Sequence, residues 1–261
     1  MQVINESIYD HPKYYDLVFG ADCAAELRFI CDVNQQFMNG KATRLFEPAC
    51  GTGRLLHGLA KRGFEVGGID LNSKAIEFCN QRFERNAIAT RADVADMSDF
   101  KPKKKWDLAF NTINSFRHLT SEQEAFDHMR CMANGTRKDG IYLVGIHLTP
   151  TAAPPSEEES WSARRGHLSI VTHMWTIERA PKKRLERFGI RFDIYTPKAQ
   201  MRIVDELKLR SYTPKQFQAL IDAEGSWNIE ATFDFGYDIR EPITVDATCE
   251  DVIYVLRKQG K

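Results

Sequence analysis

The sequence predicts an α/β fold: a parallel sheet covered by helices on both faces, interrupted by an inserted antiparallel β meander. Three observations carry this reading. Short β-like runs alternate with helical patterns through the first half of the chain, three long alternating segments follow with no helix between them, and the helix-then-strand pattern returns near the end.

In chain order, residues 43–47 (TRLFE) read as the first strand, and residues 53–62 as a helix with Leu55, Leu56 and Leu59 on one face. Residues 64–69 are the second strand, and residues 73–84 group Ala75, Ile76, Cys79 and Phe83 at helical spacing. A short third strand is expected at 88–91, a fourth at 106–111 and a fifth at 140–148. Between the last two, Thr120-Ser121-Glu122-Gln123 fits a capping box opening a helix that runs to about residue 133. Residues 149–162 (TPTAAPPSEEESWS) read as an exposed linker. The alternating segments then cover 167–179, 187–196 and 200–210, with Phe188, Ile190, Phe192 and Ile194 on one face of the middle one. Pro214 opens a last helix that Gly225 stops, and residues 227–235 and 251–257 are the final strands.

The chain has 261 residues, 43% hydrophobic and 28% charged, enough for one large domain or a domain with an insert. Its 36 basic and 36 acidic side chains cancel, which argues against a protein that grips nucleic acid by its overall field. The KPKKK run at 101–105 reads as a solvated loop. Six cysteines stand apart, with no C-x-x-C pair; such thiols are expected reduced and buried, in a reducing compartment, and no metal site is expected. The first 20 residues carry charges where a signal peptide needs an apolar stretch, and the longest apolar run, near 141–148, falls far short of the roughly 20 residues of a membrane helix. The expectation is a soluble cytoplasmic protein with no membrane or nucleic-acid partner; a homodimer is left open.

The chemistry concentrates in Glu47-Pro48-Ala49-Cys50-Gly51-Thr52-Gly53-Arg54, between the first strand and the first helix. Glycines at such a turn let the backbone approach a ligand, and the helix start favours an anionic group. Asp70 ends the second strand 17 residues after Gly53, where a carboxylate accepts both hydroxyls of a ribose. Asp93, after the short third strand, is placed to take the exocyclic amine of an adenine. A nicotinamide dinucleotide fits poorly: Leu56 stands where its third glycine belongs, and Glu47 would face the pyrophosphate. A ligand with an amino-acid head would welcome that carboxylate for its ammonium.

The stretch from Phe46 to Gly53 resembles the nucleotide-binding motif of class I S-adenosylmethionine-dependent methyltransferases. Asp70 at the end of 66–70 matches that family's ribose-binding acid, Asp93-Val94 its adenine-contacting pair, residues 106–111 its fourth strand, and the last helix and two strands its closing hairpin. The departure is Ala49, where the family often has glycine. The resemblance implies a seven-stranded Rossmann-like sheet with the last strand antiparallel, and S-adenosylmethionine as cofactor. It divides the chain into an N-terminal helical lid (1–40), a core (41–150 and 211–261) and an antiparallel β cap on the substrate side (151–210). The insert and the Tyr9-Asp10 and Tyr14-Tyr15-Asp16-Leu17 stretches look like those of small-molecule N-methyltransferases. The activity implied is methyl transfer to a small-molecule acceptor, on nitrogen before oxygen; the alternative is a catalytically silent S-adenosylmethionine-binding partner or sensor. The N/D-P-P-Y/F sequence of amino-methylating DNA enzymes and the paired-glutamate loop of protein-arginine methyltransferases are absent from the sequence.

Tyr15, Glu47, Ala49, Gly51, Gly53, Arg54, Asp70, Leu71, Asp93, Val94 and Asn111 are then the candidate cofactor residues. Arg54 is expected to pair with the methionine carboxylate, and Tyr14 and Tyr15 to face the sulfonium. Tyr237 and Asp238 are candidates for the acceptor rim. His118 and His147, near the ends of strands four and five, are the candidate general bases, although methyl transfer proceeds largely by alignment and does not require one.

Overall fold

The computed structural model describes residues 1–20, 22–152, 154 and 157–260. The chain opens with β1 (Gln2–Asn5), α1 (Pro12–Gly20) and α2 (Ala24–Met38). The alternating half follows: β2 (Arg44–Pro48), α3 (Arg54–Ala60), β3 (Glu65–Asp70), α4 (Ser73–Arg85), β4 (Asp93–Val94), β5 (Trp106–Asn111), α5 (Glu122–Gly135) and β6 (Thr136–His147). Four consecutive strands come next, β7 (Glu158–Arg165), β8 (Leu168–Ala180), β9 (Leu185–Tyr195) and β10 (Gln200–Arg210), before α6 (Pro214–Glu224), β11 (Trp227–Phe233) and β12 (Asp251–Lys258) close the chain.

Seven strands form the larger sheet in the order β11-β12-β6-β5-β2-β3-β4. All its neighbours from β6 to β4 pair parallel, and β12, last in the chain, runs antiparallel to both β6 and β11. This is the α/β architecture expected. Alternation along the central strands divides the core in two. Leu45, Leu108, Phe110 and Leu143 face a cluster with Leu27, Leu55 and Ile76, while Phe46, Ala109, Tyr142 and Val144 face one with Met129 and Phe217. Every residue of β5 is buried, as a strand covered on both faces requires.

The second sheet has the order β1-β10-β9-β8-β7. Its apolar face, including Ile170, Ile190, Phe192, Ile194 and Ile203, packs on Ile8, Leu17 and Val18 of the N-terminal segment.

Local details differ from expectation in several places. The expected linker at 149–162 is shorter, because β7 begins at Glu158 and pairs along β8; Ala153, Pro155 and Ser156 of that stretch lie outside the described residues. The N-terminal segment is not wholly helical, since β1 adds a parallel strand to the edge of β10. The third core strand falls at 93–94 instead of 88–91, which puts Asp93 within the strand. The capping box of α5 sits one residue later, with the Ser121 hydroxyl accepting from the Glu124 amide and the Glu124 carboxylate from the Ser121 amide.

One core group makes stability depend on pH. His128 is fully buried: Nδ1–H donates to the Met97 carbonyl at 2.9 Å, and Nε2 accepts from the Tyr142 hydroxyl at 2.7 Å. Burial pushes this imidazole down to about 4. The neutral form stabilises the fold fully above the unfolded value near 6.5, and that contribution is lost as pH falls towards 4. Urea titrations at pH 7 and about 4.5 should show an excess loss of about 2–3 kcal/mol in the native protein relative to His128→Gln.

Candidate active site

The carboxyl ends of β2, β3 and β5 converge on one rim, and the site grows from the turn between β2 and α3. Gly51 and Gly53 hold φ of 52° and 68°, the left-handed region in which glycine is unstrained, and Ala49 holds 54° in the same region. Space is a second constraint at Gly53, where a Cβ would come within 2.3 Å of the Cys79 sulfur. Asp70, at the end of β3, fastens the turn: its Oδ2 accepts from the Gly51 amide and its Oδ1 from the Asn72 amide, both at 2.8 Å. Burial raises the Asp70 carboxyl above its ordinary value, against these backbone donors.

Above the turn lies a cavity of about 810 Å³, within the roughly 300–1,000 Å³ typical of small-molecule sites. Tyr15, Ala49, Gly51, Asp70 and Leu71 line one part of it, with Leu71 73% exposed despite its apolar side chain. A small recess opens beside it, walled by Tyr15, Glu47, Ala49, Arg54 and Asn111. Two buried acceptors there have no hydrogen-bond partner, Glu47 Oε2 and Asn111 Oδ1. Burial drives the Glu47 carboxyl well above its ordinary value. Orphaned acceptors at this density are costly unless a ligand supplies donors, and an ammonium supplies three. The recess therefore fits the amino-acid head of S-adenosylmethionine.

Arg54 does not face this head group freely. Its two terminal nitrogens grip Glu26 of α2, one at 2.7 Å, and Thr112 Oγ1 donates to the same carboxylate at 2.8 Å. Burial opposes the Arg54 charge, but Glu26 outweighs it and holds the guanidinium above its ordinary value. Asp93 and Val94 stand apart from the cavity: Asp93 pairs with Lys103 at 2.9 Å on the surface, and Val94 is 53% exposed. The wall at that strand end is Ala95, Asp96, Met97 and Ser98. With the strand at 93–94, the residues past its end start three positions later than the sequence pattern implied.

The N-terminal segment closes the same space. Tyr15 packs in tilted contact with Tyr9 and Phe19, with ring centroids 5.4 Å and 4.5 Å away. Buried Asp16 anchors it, accepting from Thr52 Oγ1 at 3.0 Å and pairing with Arg82 at 2.5 Å. Of the candidate bases, His118 faces the cavity and its Nε2 shares a hydrogen bond of 2.9 Å with the Tyr9 hydroxyl. The surrounding protein, with a further contribution from Arg117, pushes the His118 imidazole down to about 4. His147 also lines the cavity, and its Nδ1–H donates to Asp251 at 2.9 Å. Tyr237 lies outside the cavity lining, its hydroxyl donating to the Thr112 carbonyl at 3.3 Å, and Asp238 pairs with Arg240 at 2.5 Å.

Sequence reasoning missed Glu26, Phe19 and the Asp96 wall. A signal existed for Glu26: it sits in the buried stripe of α2 with Leu27, Ile30 and Val33, where a carboxylate needs a partner.

Comparison with known proteins agrees with this geometry. Residues 46–140 match the family model described as a methyltransferase domain. The dTDP-3-amino-3,4,6-trideoxy-alpha-D-glucopyranose N,N-dimethyltransferase of Streptomyces venezuelae is 22% identical over 224 residues, 83% of this chain and 90% of that protein. Among solved structures, DesVI of Streptomyces venezuelae superposes with a TM-score of 0.77 at 18% identity, covering 94% of this chain and 97% of that one. The sugar N-methyltransferase KedS8 of Streptoalloteichus sp. ATCC 53650 superposes with a TM-score of 0.75 at 17% identity, covering 100% and 97%. Residues 46–140 thus match a methyltransferase domain, and the chain has the fold of the class I S-adenosylmethionine-dependent methyltransferases.

Proposed function

We propose that this protein is an enzyme that transfers the methyl group of S-adenosylmethionine to the amino nitrogen of a small molecule. The observation that carries the reading is the continuity of two features. A recess with orphaned Glu47 and Asn111 acceptors, beside Asp70, adjoins a cavity large enough for a second molecule. The relatives add the acceptor class, since the Streptomyces venezuelae enzyme is named for an amino sugar and KedS8 for sugar N-methylation.

When bound, S-adenosylmethionine supplies an electron-poor methyl on a sulfonium. Glu47 and Asn111 hold its ammonium, and Asp70 its ribose hydroxyls. Tyr15 covers the positive centre with an aromatic face. Tyr9 and neutral His118 orient the acceptor amine; an imidazole held near 4 is a weak base, so its contribution is alignment by hydrogen bonding. The segment 1–40 acts as lid and 151–210 as cap, together excluding water. The reaction needs no nucleic acid, and the free cysteines suit a cytoplasmic setting. No helix among the described residues is long and apolar enough to cross a membrane.

Calorimetry should detect S-adenosylmethionine binding, weakened about 100-fold by Asp70→Ala, from the loss of charge-assisted hydrogen bonds at about 1.5–3 kcal/mol each. Incubation with a panel of amines, amino sugars and phenols should release S-adenosylhomocysteine with the amines first. Affinity unchanged in Asp70→Ala, or no release with any acceptor, sinks the proposal.

A further inference from the structure

Methyl transfer to an amine has a proton step that Tyr9 and His118 do not perform. An alkyl amine is an ammonium near neutral pH and must lose a proton before its nitrogen can attack. His118 is a poor base for this, because burial, with Arg117 beside it, pushes its imidazole down to about 4. A second imidazole of the cavity wall is built differently.

His147 ends β6 and Asp251 begins β12, and the antiparallel pairing sets the two residues directly opposite each other. Cross-strand partners project to the same face, so the side chains meet: the ring Nδ1–H donates to Asp251 Oδ1 at 2.9 Å. A carboxylate only accepts, which fixes the proton on Nδ1 and leaves Nε2 with a lone pair. Nε2 has no hydrogen-bond partner among the described residues, and both residues line the cavity. The backbone beneath the ring is held as well. The His147 amide donates to Asn114 Oδ1, and the Asn114 amide donates to the Gly145 carbonyl at 3.2 Å, lacing the end of β6 to the loop after β5. Ile113 and Ser115, on either side of Asn114, wall both the donor recess and the cavity. The imidazole is thereby tied to the segment where the two spaces join. A carboxylate that sets the tautomer, an imidazole and an open second nitrogen together make a general base, since the carboxylate also stabilises the imidazolium that forms.

We infer that His147, oriented by Asp251, is the general base of the reaction and takes a proton from the acceptor ammonium at Nε2. The inference rests on the proposed methyl transfer and assigns its proton step. The ammonium proton passes to Nε2, giving an imidazolium beside the Asp251 carboxylate. The freed nitrogen lone pair bonds the methyl, and the carbon–sulfur bond breaks with its electron pair going to sulfur. S-adenosylhomocysteine and the methylated ammonium leave, and the imidazolium releases its proton to water. An ammonium yields a proton to an imidazole far more readily than an alkyl hydroxyl does, so the same pair favours nitrogen over oxygen.

The first readout needs no acceptor. Nitrogen-15 spectra of the histidine rings, with S-adenosylhomocysteine bound, should show a ring protonated at Nδ1 that disappears in His147→Gln and converts to the Nε2–H form in Asp251→Ala. The second is kinetic, with glucosamine or whichever amine of the panel releases S-adenosylhomocysteine fastest. His147→Gln should lower kcat about 100-fold or more, and Asp251→Ala about tenfold, with affinity for S-adenosylhomocysteine and the circular dichroism spectrum unchanged. The His147→Gln deficit should shrink about tenfold per pH unit from about pH 7 to 9, because free amine grows by that factor below an ammonium value near 10.4. The charged groups sharing this wall include Asp251 on β12, Arg117 and His118 on the turn after β5, Glu124 at the start of α5 and Glu186 on β9. Native protein and His147→Gln have these groups in common, so the ratio of their rates isolates His147. A His147 ring protonated at Nε2, native kcat in His147→Gln, or a deficit indifferent to pH overturns the inference. Release of S-adenosylhomocysteine by none of the amines removes methyl transfer itself, an outcome distinct from a misassigned base because the spectra still report the tautomer.

Discussion

Gly53→Ala should abolish measurable S-adenosylmethionine binding and destabilise the protein by about 2–5 kcal/mol, the combined cost of a left-handed residue and an overpacked contact. Two causes act at this position. The φ of 68° strains any residue with a Cβ, and that Cβ would approach the Cys79 sulfur to 2.3 Å. The main chain cannot yield easily, because the Gly53 amide donates to the Cys50 carbonyl at 2.9 Å and its carbonyl accepts from the His57 amide, starting α3. The causes separate experimentally. Gly53→Ala/Cys79→Ala opens the space but keeps the strained φ, so it should recover part of the urea midpoint and little of the affinity. Full recovery of both would show that packing alone demands glycine; no recovery of stability would show that the backbone conformation alone does.

The parts of this site that could be read from sequence share one property: their positions follow from periodicity. Glu47, Asp70 and Asn111 stand at the ends of β2, β3 and β5, and a parallel sheet brings consecutive strand ends to one rim wherever the helices run. The glycines follow from the turn that must connect β2 to α3. What escaped has no period to reveal it. β1 is four residues, mostly exposed, and is a strand because the edge of β10 offers it hydrogen bonds. β4 has only two residues, so a small displacement in where the chain rejoins the sheet moved Asp93 to the surface and Asp96 to the cavity. Arg54 was expected to pair with the methionine carboxylate, but its partner in the fold is Glu26, from a helix 28 positions earlier in the chain. The resulting ion pair makes Arg54 a brace between α2 and the turn. The alternating segments of the second sheet were legible, because their apolar residues recur with the two-residue period of a strand buried on one face.

Glu47→Gln should separate stability from function in opposite directions. The Glu47 carboxylate is 6% exposed, its Oε2 has no hydrogen-bond partner, and burial raises its protonation well above the ordinary carboxylate range. With the folded value above the unfolded one, the fold favours the protonated acid. The penalty for folding is absent below the unfolded value near 4.3 and grows as pH rises towards the folded one. The glutamine variant carries no such penalty. In the absence of ligand it should have a higher urea midpoint than the native protein at pH 7, and the difference should vanish near pH 4. Its affinity for S-adenosylmethionine should fall by about 10- to 100-fold, the loss of one charge-assisted hydrogen bond to the ammonium at about 1.5–3 kcal/mol. The donor's ammonium is the reason the charge is worth keeping: it provides the missing partner, so ligand should stabilise the native protein more than the variant by the same ratio. A variant that lost stability at pH 7, or kept its affinity, would mean that Glu47 holds the turn together and leaves the ammonium to other groups. The opposite signs follow from one unpaired oxygen, which is costly in the empty recess and complementary to a cation once the donor enters.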